Sequence, residues 1–357
     1  MAGTIDDSVV SVTLEASKPS SYEALTLESR LTTDQYRQLA AAVTAEWDPE
    51  YAADPANKSA VDDVVFRRHD NTVRFILPWI EGVRSLSGGR VVDFGSGCGS
   101  SSLAFSHVAG DVHAFEIDAP SVTAFKCRMD MFRAENVQVF EAAPSQILEP
   151  TLARIVPGST VVLIAVVEHL LESERIQYLT AIWQQLEPGD LLVIAETPNF
   201  YAYLDTHTFG VPFAHMVPDD HFVGWLRSQP SSLRFRDSLL DTAAKEGVAA
   251  VLEGRRRLGI GVSHHTFELA FGMDLNEVVA ADGFADELRG WFPMLVDDRL
   301  TVTAFDAYDV ELPIGFARSV LSFVFRKPSS AADASSLREW NKSRRSEIIA
   351  ELSFMRQ

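Results

Sequence analysis

Between residues 86 and 200, short apolar runs alternate with longer stretches of helical periodicity. Val91 and Val92, two β-branched residues, read as the end of a buried strand, and Ser100 to Phe105 as the start of a helix. Val112, Ala114 and Phe115 form the next short strand pattern, 119–135 a helix, and 137–140 a strand. From Thr160 the chain runs Val-Val-Leu-Ile-Ala-Val-Val, a continuous apolar segment of the kind buried on both faces of a parallel sheet. Ile176, Leu179, Ile182 and Leu186 then recur at helical spacing. Glu187-Pro188-Gly189-Asp190 breaks that helix, and 191–195 is another strand. Strands alternating with helices in this way predict a parallel, doubly wound α/β sheet.

Outside this core the pattern changes. Residues 1–30 are rich in Ser, Thr and Glu with weak periodicity, the mark of a partly disordered stretch. Thr32 and Gln35 have capping-box spacing, Leu31 and Tyr36 fit a hydrophobic staple, and Tyr36, Leu39, Ala40, Val43 and Trp47 line one helix face. A second helical stretch over 61–86 leads into the first strand. The segment from Asn199 to Asp298 is too long for one connecting helix and carries prolines, aromatics and most of the histidines. It reads as a substrate-binding cap. Residues 300–308 and 319–325 alternate like a final antiparallel strand pair. Residues 328–332 are a linker, and 336–355 a helix with Ser336 and Glu339 at capping-box spacing. The expected organisation is an N-terminal helical segment (1–85), a Rossmann-like core (86–200), a cap (201–298), the final strands (299–328), then a linker and C-terminal helix (329–357).

Charge narrows the partners. A formal net charge of −19 over 357 residues argues against nucleic acid, whose phosphates are bound by clustered Lys and Arg. The one dense basic cluster is Arg255-Arg256-Arg257. The same acidity disfavours an anionic membrane surface. No segment reaches the roughly 20 apolar residues of a bilayer span, and the acidic N-terminus lacks signal-peptide regions. Two cysteines, Cys98 and Cys127, make no disulfide framework. A cytoplasmic location, a small-molecule partner and no metal are expected, and a homodimer is compatible with the C-terminal helix.

Candidate chemistry centres on residues 91–99, Val-Val-Asp-Phe-Gly-Ser-Gly-Cys-Gly. Glycine permits sharp turns and close approach of a ligand to the backbone, and strand–glycine loop–helix is the layout of a nucleotide-type site. Compared with the dinucleotide fingerprint G-x-G-x-x-G, the third glycine comes one residue early and an acid precedes the loop. Glu116 ends the next strand, about 20 residues on, where an acid accepts ribose hydroxyls.

The loop resembles motif I of class I S-adenosylmethionine-dependent methyltransferases. Val-Val-Glu-His-Leu at 166–170, Leu-Glu-Pro-Gly-Asp-Leu-Leu-Val-Ile at 186–194 and Glu-Thr-Pro-Asn at 196–199 resemble the second half of the same domain. This resemblance implies a mostly parallel seven-stranded Rossmann-like sheet with N-terminal helices and a large inserted cap. It also implies S-adenosylmethionine as cofactor, held by Asp93, Gly95, Ser96, Gly97, Gly99, Glu116, Ile117, Ala143, Val166 and Glu168. Where the family usually carries an acid for the adenine amine, this chain has Ala142-Ala143-Pro144-Ser145, so backbone groups are left for that contact.

Methyl transfer from a sulfonium needs alignment, exclusion of water and, at most, removal of one proton. Histidine is the natural base near neutral pH. His207 and His215, in the run after Pro198-Asn199, and His169 at the strand end are the candidates, each open to a capping or buried hydrogen-bonding role instead. Glu168 and His169 with His207, His215, Asp219, Asp220 and His221 have ligand-type side chains, but no tight metal-binding spacing. The cap aromatics Phe200, Tyr201, Tyr203, Phe209, Phe213, Phe222 and Trp225 suit either an apolar acceptor or a plain hydrophobic core. Methylation of a small molecule at oxygen is the favoured activity. A peptide acceptor, a non-catalytic S-adenosylmethionine-binding module and an NAD-type oxidoreductase are the alternatives.

Overall fold

A computed structural model describes residues 22–205, 207–283 and 296–354; most of the weakly periodic 1–30 stretch and the end of the 336–355 helix lie outside them. Its centre is a seven-stranded sheet: β1 (Arg90–Phe94), β2 (Asp111–Glu116), β3 (Val137–Glu141), β4 (Thr160–Ile164), β5 (Leu191–Pro198), β6 (Val279–Asp282) and β7 (Val320–Arg326), in the order β3-β2-β1-β4-β5-β7-β6. The pairs among β1 to β5 are parallel; β7 runs antiparallel to both β5 and β6. The longer helices are α1 (Thr33–Val43), α2 (Ser100–Ser106), α3 (Ala119–Phe132), α4 (Glu172–Gln185), α5 (Asp219–Ser228), α6 (Arg236–Lys245), α7 (Val248–Arg257), α8 (His264–Phe271), α9 (Val296–Ala307) and α10 (Ala331–Phe354), with shorter helical segments and turns between.

The sheet is buried on both faces, and its period-two alternation sorts the side chains. Val92, Phe94, Phe115, Val161, Leu163, Leu192 and Ile194 face α4 and α8, packing on Leu179, Ile182, Trp183, Phe267 and Phe271. Val91, Val112, Val162 and Val193 face the other way, onto Val73, Ile76, Leu77, Ile80 and Phe105. This explains why the strands read as unbroken apolar runs.

The N-terminal segment packs on that second face. The capping box at α1 closes: Gln35 N–H donates to Thr32 Oγ1 at 3.2 Å and Thr32 N–H to Gln35 Oε1 at 3.0 Å. The following helical stretch spans 58–81 and is interrupted by wide turns at Asp63–Arg67 and Thr72–Ile76. The first interruption has a use. The fully buried guanidinium of Arg128 donates to the carbonyls of Val64 (2.7 Å), Val65 (2.8 Å) and Cys98 (2.9 Å), tying the helical segment to the glycine loop.

Three expectations are corrected. Residues 300–308 form part of helix α9, not a strand: Val302 and Phe305, three apart, pack with Ile314 and Ile348, a helical contact. The strand beside β7 is β6, from within the expected cap, so 299–328 holds only one sheet strand. The expected cap is likewise too long. At Val262 the chain bridges to Asn199, then α8 joins the main core and β6 the sheet. His264-His265 opens α8. Finally, α10 begins at Ala331 because Ser330 Oγ accepts the Asp333 N–H at 3.2 Å, so its cap lies six residues before the Ser336 cap expected from spacing.

What remains of the cap is a small helical layer, α5 to α7, with its own core of Phe209, Phe222, Leu226, Leu239 and Val251. Phe222 and Trp225 stack at 5.7 Å there, so Phe209, Phe222 and Trp225 are structural rather than acceptor-facing. The Arg255-Arg256-Arg257 cluster is used internally. Arg255 donates to the carbonyls of Val217 and His215, Arg256 pairs with Asp219, and Arg257 pairs with Glu174. Among the described residues no helix is long and apolar enough to cross a membrane.

Candidate functional site

In a sheet of order 3-2-1-4-5 the topological switch falls between β1 and β4, and ligands bind outside the carboxyl ends of the strands at that point. A cavity of about 250 Å³ lies there, lined by Phe94, Gly95, Glu116, Ile117 and Val166 among others. Tyr178 of α4, Ile147, and Arg257 from the cap complete the wall.

The glycine loop is built for its bends. Gly95, Gly97 and Gly99 have φ of 75°, 53° and 79°, a region that penalises a side chain. A Cβ on Gly95 would lie 2.7 Å from Val166, and one on Gly99 2.7 Å from Phe125. A Cβ on Gly97 would meet nothing within 4 Å. Two of the glycines are thus demanded by packing, and Gly97 leaves free space. Asp93, at the end of β1, accepts hydrogen bonds from Ser101 (2.8 Å) and Ser102 (2.6 Å) in the first turn of α2, and burial pushes its pKa up to about 6. Glu116 binds the loop from the other side. Its Oε2 accepts the Gly97 N–H at 2.7 Å, and its Oε1 accepts those of Ile117 and Asp118.

Beyond β4 the chain turns sharply. Ala165 takes φ 52° although it is not glycine, a strain tolerated mainly where function fixes the backbone. Glu168 and His169 follow in one tight turn. Arg175 clamps it, donating to the Glu168 carbonyl at 2.7 Å and to that of Ile260, on the cap's return, at 3.0 Å. Glu168 is fully buried, accepts the Thr197 hydroxyl at 3.2 Å, and has its pKa raised to about 7 by desolvation. His207 comes down from the cap with Nε2 3.7 Å from Glu168 Oε1, and His169 Nε2 lies 3.9 Å from the same oxygen. Burial holds both imidazoles below the usual histidine pKa.

Of the residues singled out from sequence, Gly95, Glu116, Ile117, Val166 and His169 line the cavity. Asp93, Gly99 and Ser96 support it from within the loop, and Ala143 is exposed beside cavity-lining Pro144. Glu168 and His207 join His169. His215 does not: its Nε2 bonds the Phe200 carbonyl at 2.8 Å and its ring packs edge-on against Phe200. That buried bond makes it a cap strut, and the expectation that it serves as a base is withdrawn. Asp219 is taken by arginines, and Asp220 and His221 pair with each other at the surface. Sequence reasoning missed Ala165, Ile147, Tyr178 and Arg257. Only Tyr178, two residues after Ile176 on the periodic helix, carried a hint of its position.

No family model matches the chain, and no curated protein does. Solved structures with a similar arrangement include PKMT2 of Rickettsia typhi (11% identity, 70% of this chain and 52% of that one, TM-score 0.42). Others are the pyocyanin biosynthetic protein PhzM (11%, 80% and 60%, TM-score 0.38) and the magnesium protoporphyrin IX methyltransferase of Synechocystis with bound S-adenosylhomocysteine (18%, 46% and 66%, TM-score 0.32). The chain spans between 52% and 66% of the length of these structures. With TM-scores below 0.5, these likenesses decide nothing about the fold. The strand order and the antiparallel β7 in this chain define that fold directly: the Rossmann-like sheet implied by the motif I resemblance.

Proposed function

We propose that this protein is a methyltransferase that uses S-adenosylmethionine and acts at an oxygen of a small-molecule acceptor. The observation that carries the reading is the cavity at the switch point, with the glycine loop on one wall and Glu116 on another. The residues fit the cofactor. Ser96 Oγ is buried with no hydrogen-bond partner, and the space beside Gly97 is open. Glu116 keeps a spare lone pair for ribose hydroxyls, since a carboxylate has about four acceptor sites and three are filled. Ile117 is 46% exposed at the cavity wall, a flat apolar surface for a purine.

When bound, S-adenosylmethionine supplies a methyl group already activated on a sulfonium. The chain's own part is then to orient the acceptor, exclude water and receive a proton. His169 and His207 each turn Nε2 toward Glu168 at the cavity's cap side, and this cluster is where an acceptor hydroxyl would be held and deprotonated. Packing of the cap against the Glu168 turn, through Arg257 on Glu174 and His169 on the Arg257 carbonyl, supports a small acceptor over a peptide.

Calorimetric titration with S-adenosylmethionine, S-adenosylhomocysteine and NAD tests the reading. Micromolar binding of both sulfur compounds and none of NAD is expected, with loss in Gly97→Arg. Failure of both sulfur compounds to bind, with and without candidate acceptors, would refute it.

A further inference from the structure

The hydrogen-bond bookkeeping around Glu168 does not close within the protein. Its Oε2 takes the Thr197 hydroxyl, but its Oε1 is buried with no hydrogen-bond partner. Leaving a buried carboxylate oxygen unpaired is costly. Two ring nitrogens stand near it, His207 Nε2 at 3.7 Å and His169 Nε2 at 3.9 Å, and Glu168, His169 and His207 each offer a ligand atom within 4.8 Å of the others.

Neither imidazole can donate to that oxygen without losing another bond. His169 Nδ1 lies 2.9 Å from the Arg257 carbonyl, which only accepts, so the ring proton sits on Nδ1 and Nε2 carries a lone pair. His207 Nδ1 lies 3.3 Å from Thr208 Oγ1, and that hydroxyl donates to the Gly259 carbonyl. Thr208 therefore accepts from Nδ1–H, and His207 Nε2 also carries a lone pair. Three acceptors converge on one point with no donor between them. A single proton would satisfy one pair and leave the third atom facing it.

We propose that Glu168, His169 and His207 bind a divalent first-row transition metal ion, with Glu168 Oε1 and the two Nε2 atoms as ligands. Two imidazoles and one carboxylate are an ordinary ligand set for such ions and leave coordination positions open. Bond lengths of about 2.0–2.2 Å place ligands of one ion roughly 3–3.5 Å apart, so the two Glu168–histidine separations of 3.7 and 3.9 Å would shorten on binding, as would a histidine–histidine separation that exceeds this range. The outer partners also fit: metal-bound histidines donate their other N–H to a carbonyl or similar group, as both do here. Gly259 makes the approach feasible. Its φ is +100°, and a Cβ there would sit 2.6 Å from His207 Cε1 and 3.2 Å from Glu168 Cγ.

His169 borders the cavity, so an ion held there would lie beside the proposed acceptor. That part rests on the methyl-transfer reading. There the ion would hold the acceptor oxygen and lower its pKa, with the two imidazoles acting as ligands instead of bases. The S–CH3 bond breaks with its electron pair on sulfur, the O–CH3 bond forms, and the hydroxyl proton passes to solvent. Ion binding itself needs no cofactor.

The test is direct metal binding by the full chain, stripped with chelator, in a His265→Ala background. That change removes the other described His/carboxylate cluster, His264-His265-Glu268, in which His265 is exposed. Titration with Zn2+ followed by calorimetry, and with Co2+ followed by its visible absorption, should show one saturable equivalent. His207→Ala and Glu168→Gln should each weaken it at least about 10–100-fold. Should Glu168→Gln fail to fold, His207→Ala and His169→Ala decide. No saturable binding of either ion, or binding unchanged in both histidine variants, overturns the proposal. Metal binding without S-adenosylhomocysteine binding would uphold the site and sink the methyl-transfer reading; the reverse would do the opposite.

Discussion

Gly97 and Gly99 should respond to the same substitution in opposite ways. Both have positive φ, 53° and 79°, so an alanine at either position pays about 1–2 kcal/mol in the left-handed region. The surroundings differ. At Gly99 the new methyl would lie 2.7 Å from Phe125 Cδ2 and 3.0 Å from Met129 Cε, both in the packed cluster under α3. Overpacking of this kind costs about 1–3 kcal/mol more. Gly99→Ala should therefore lose about 2–5 kcal/mol of stability. At Gly97 nothing lies within 4 Å, so Gly97→Ala should lose only the backbone contribution. Its methyl would instead occupy space assigned to the cofactor, and S-adenosylhomocysteine affinity should fall at least about tenfold, or 1.4 kcal/mol. Urea unfolding and calorimetric titration of both variants measure the two quantities. Equal destabilisation of the pair, or wild-type ligand affinity in Gly97→Ala, would refute the assignment of one glycine to packing and the other to binding.

Other variants probe the supports of the site. Glu116→Ala should weaken S-adenosylhomocysteine binding by about 10–100-fold in calorimetry, because it removes both the proposed ribose acceptor and the anchor of the Gly97 N–H. Arg128→Met leaves the Val64, Val65 and Cys98 carbonyls without their shared donor, and urea unfolding should show a loss of about 3 kcal/mol or more. Burial pushes the Asp93 pKa up to about 6 from its ordinary 3.8, so its favourable contribution is complete below pH 4 and is lost as pH rises through 6. Unfolding measured from pH 4 to 8 should show Asp93→Asn gaining on the native chain by roughly 2–3 kcal/mol across that window; a constant difference would contradict the buried, raised carboxyl.

Legibility in the sequence followed how local the cause was. The strands β1 to β5 and helices α3 and α4 were readable because each buries a full stripe or face, and period alone reports that. Glu116 and the glycine loop were readable because one strand, one turn and one helix place them together. Residues 300–308 were misread because Leu300, Val302 and Ala304 alternate over a window too short to separate a strand from a helix; the contact of Val302 and Phe305 with α10 decided it. β6 was invisible for the complementary reason: Val279-Ala280-Ala281-Asp282 is four residues long and acquires its identity only by pairing with β7.

The histidines show the same limit more sharply. His207 and His215 are eight residues apart in one run, and their immediate neighbours, Thr206 and Thr208 against Ala214 and Met216, do not say which of them reaches the site. Tertiary partners do. His215 meets the Phe200 carbonyl, a fixed acceptor that occupies its Nε2. His207 meets Glu168, which is far away in sequence and is aimed by the strained turn after β4 and the Arg175 clamp. The cap reaches that turn only because Gly259 and Gly261 let its returning chain pass close to His207 and to Phe200; a Cβ on Gly261 would lie 2.5 Å from the Phe200 nitrogen. The proposed acceptor side of the site is therefore a property of how the cap closes onto the sheet. A change at Gly259 should disturb His207 and Glu168 together, while leaving the glycine loop and Glu116 as they are.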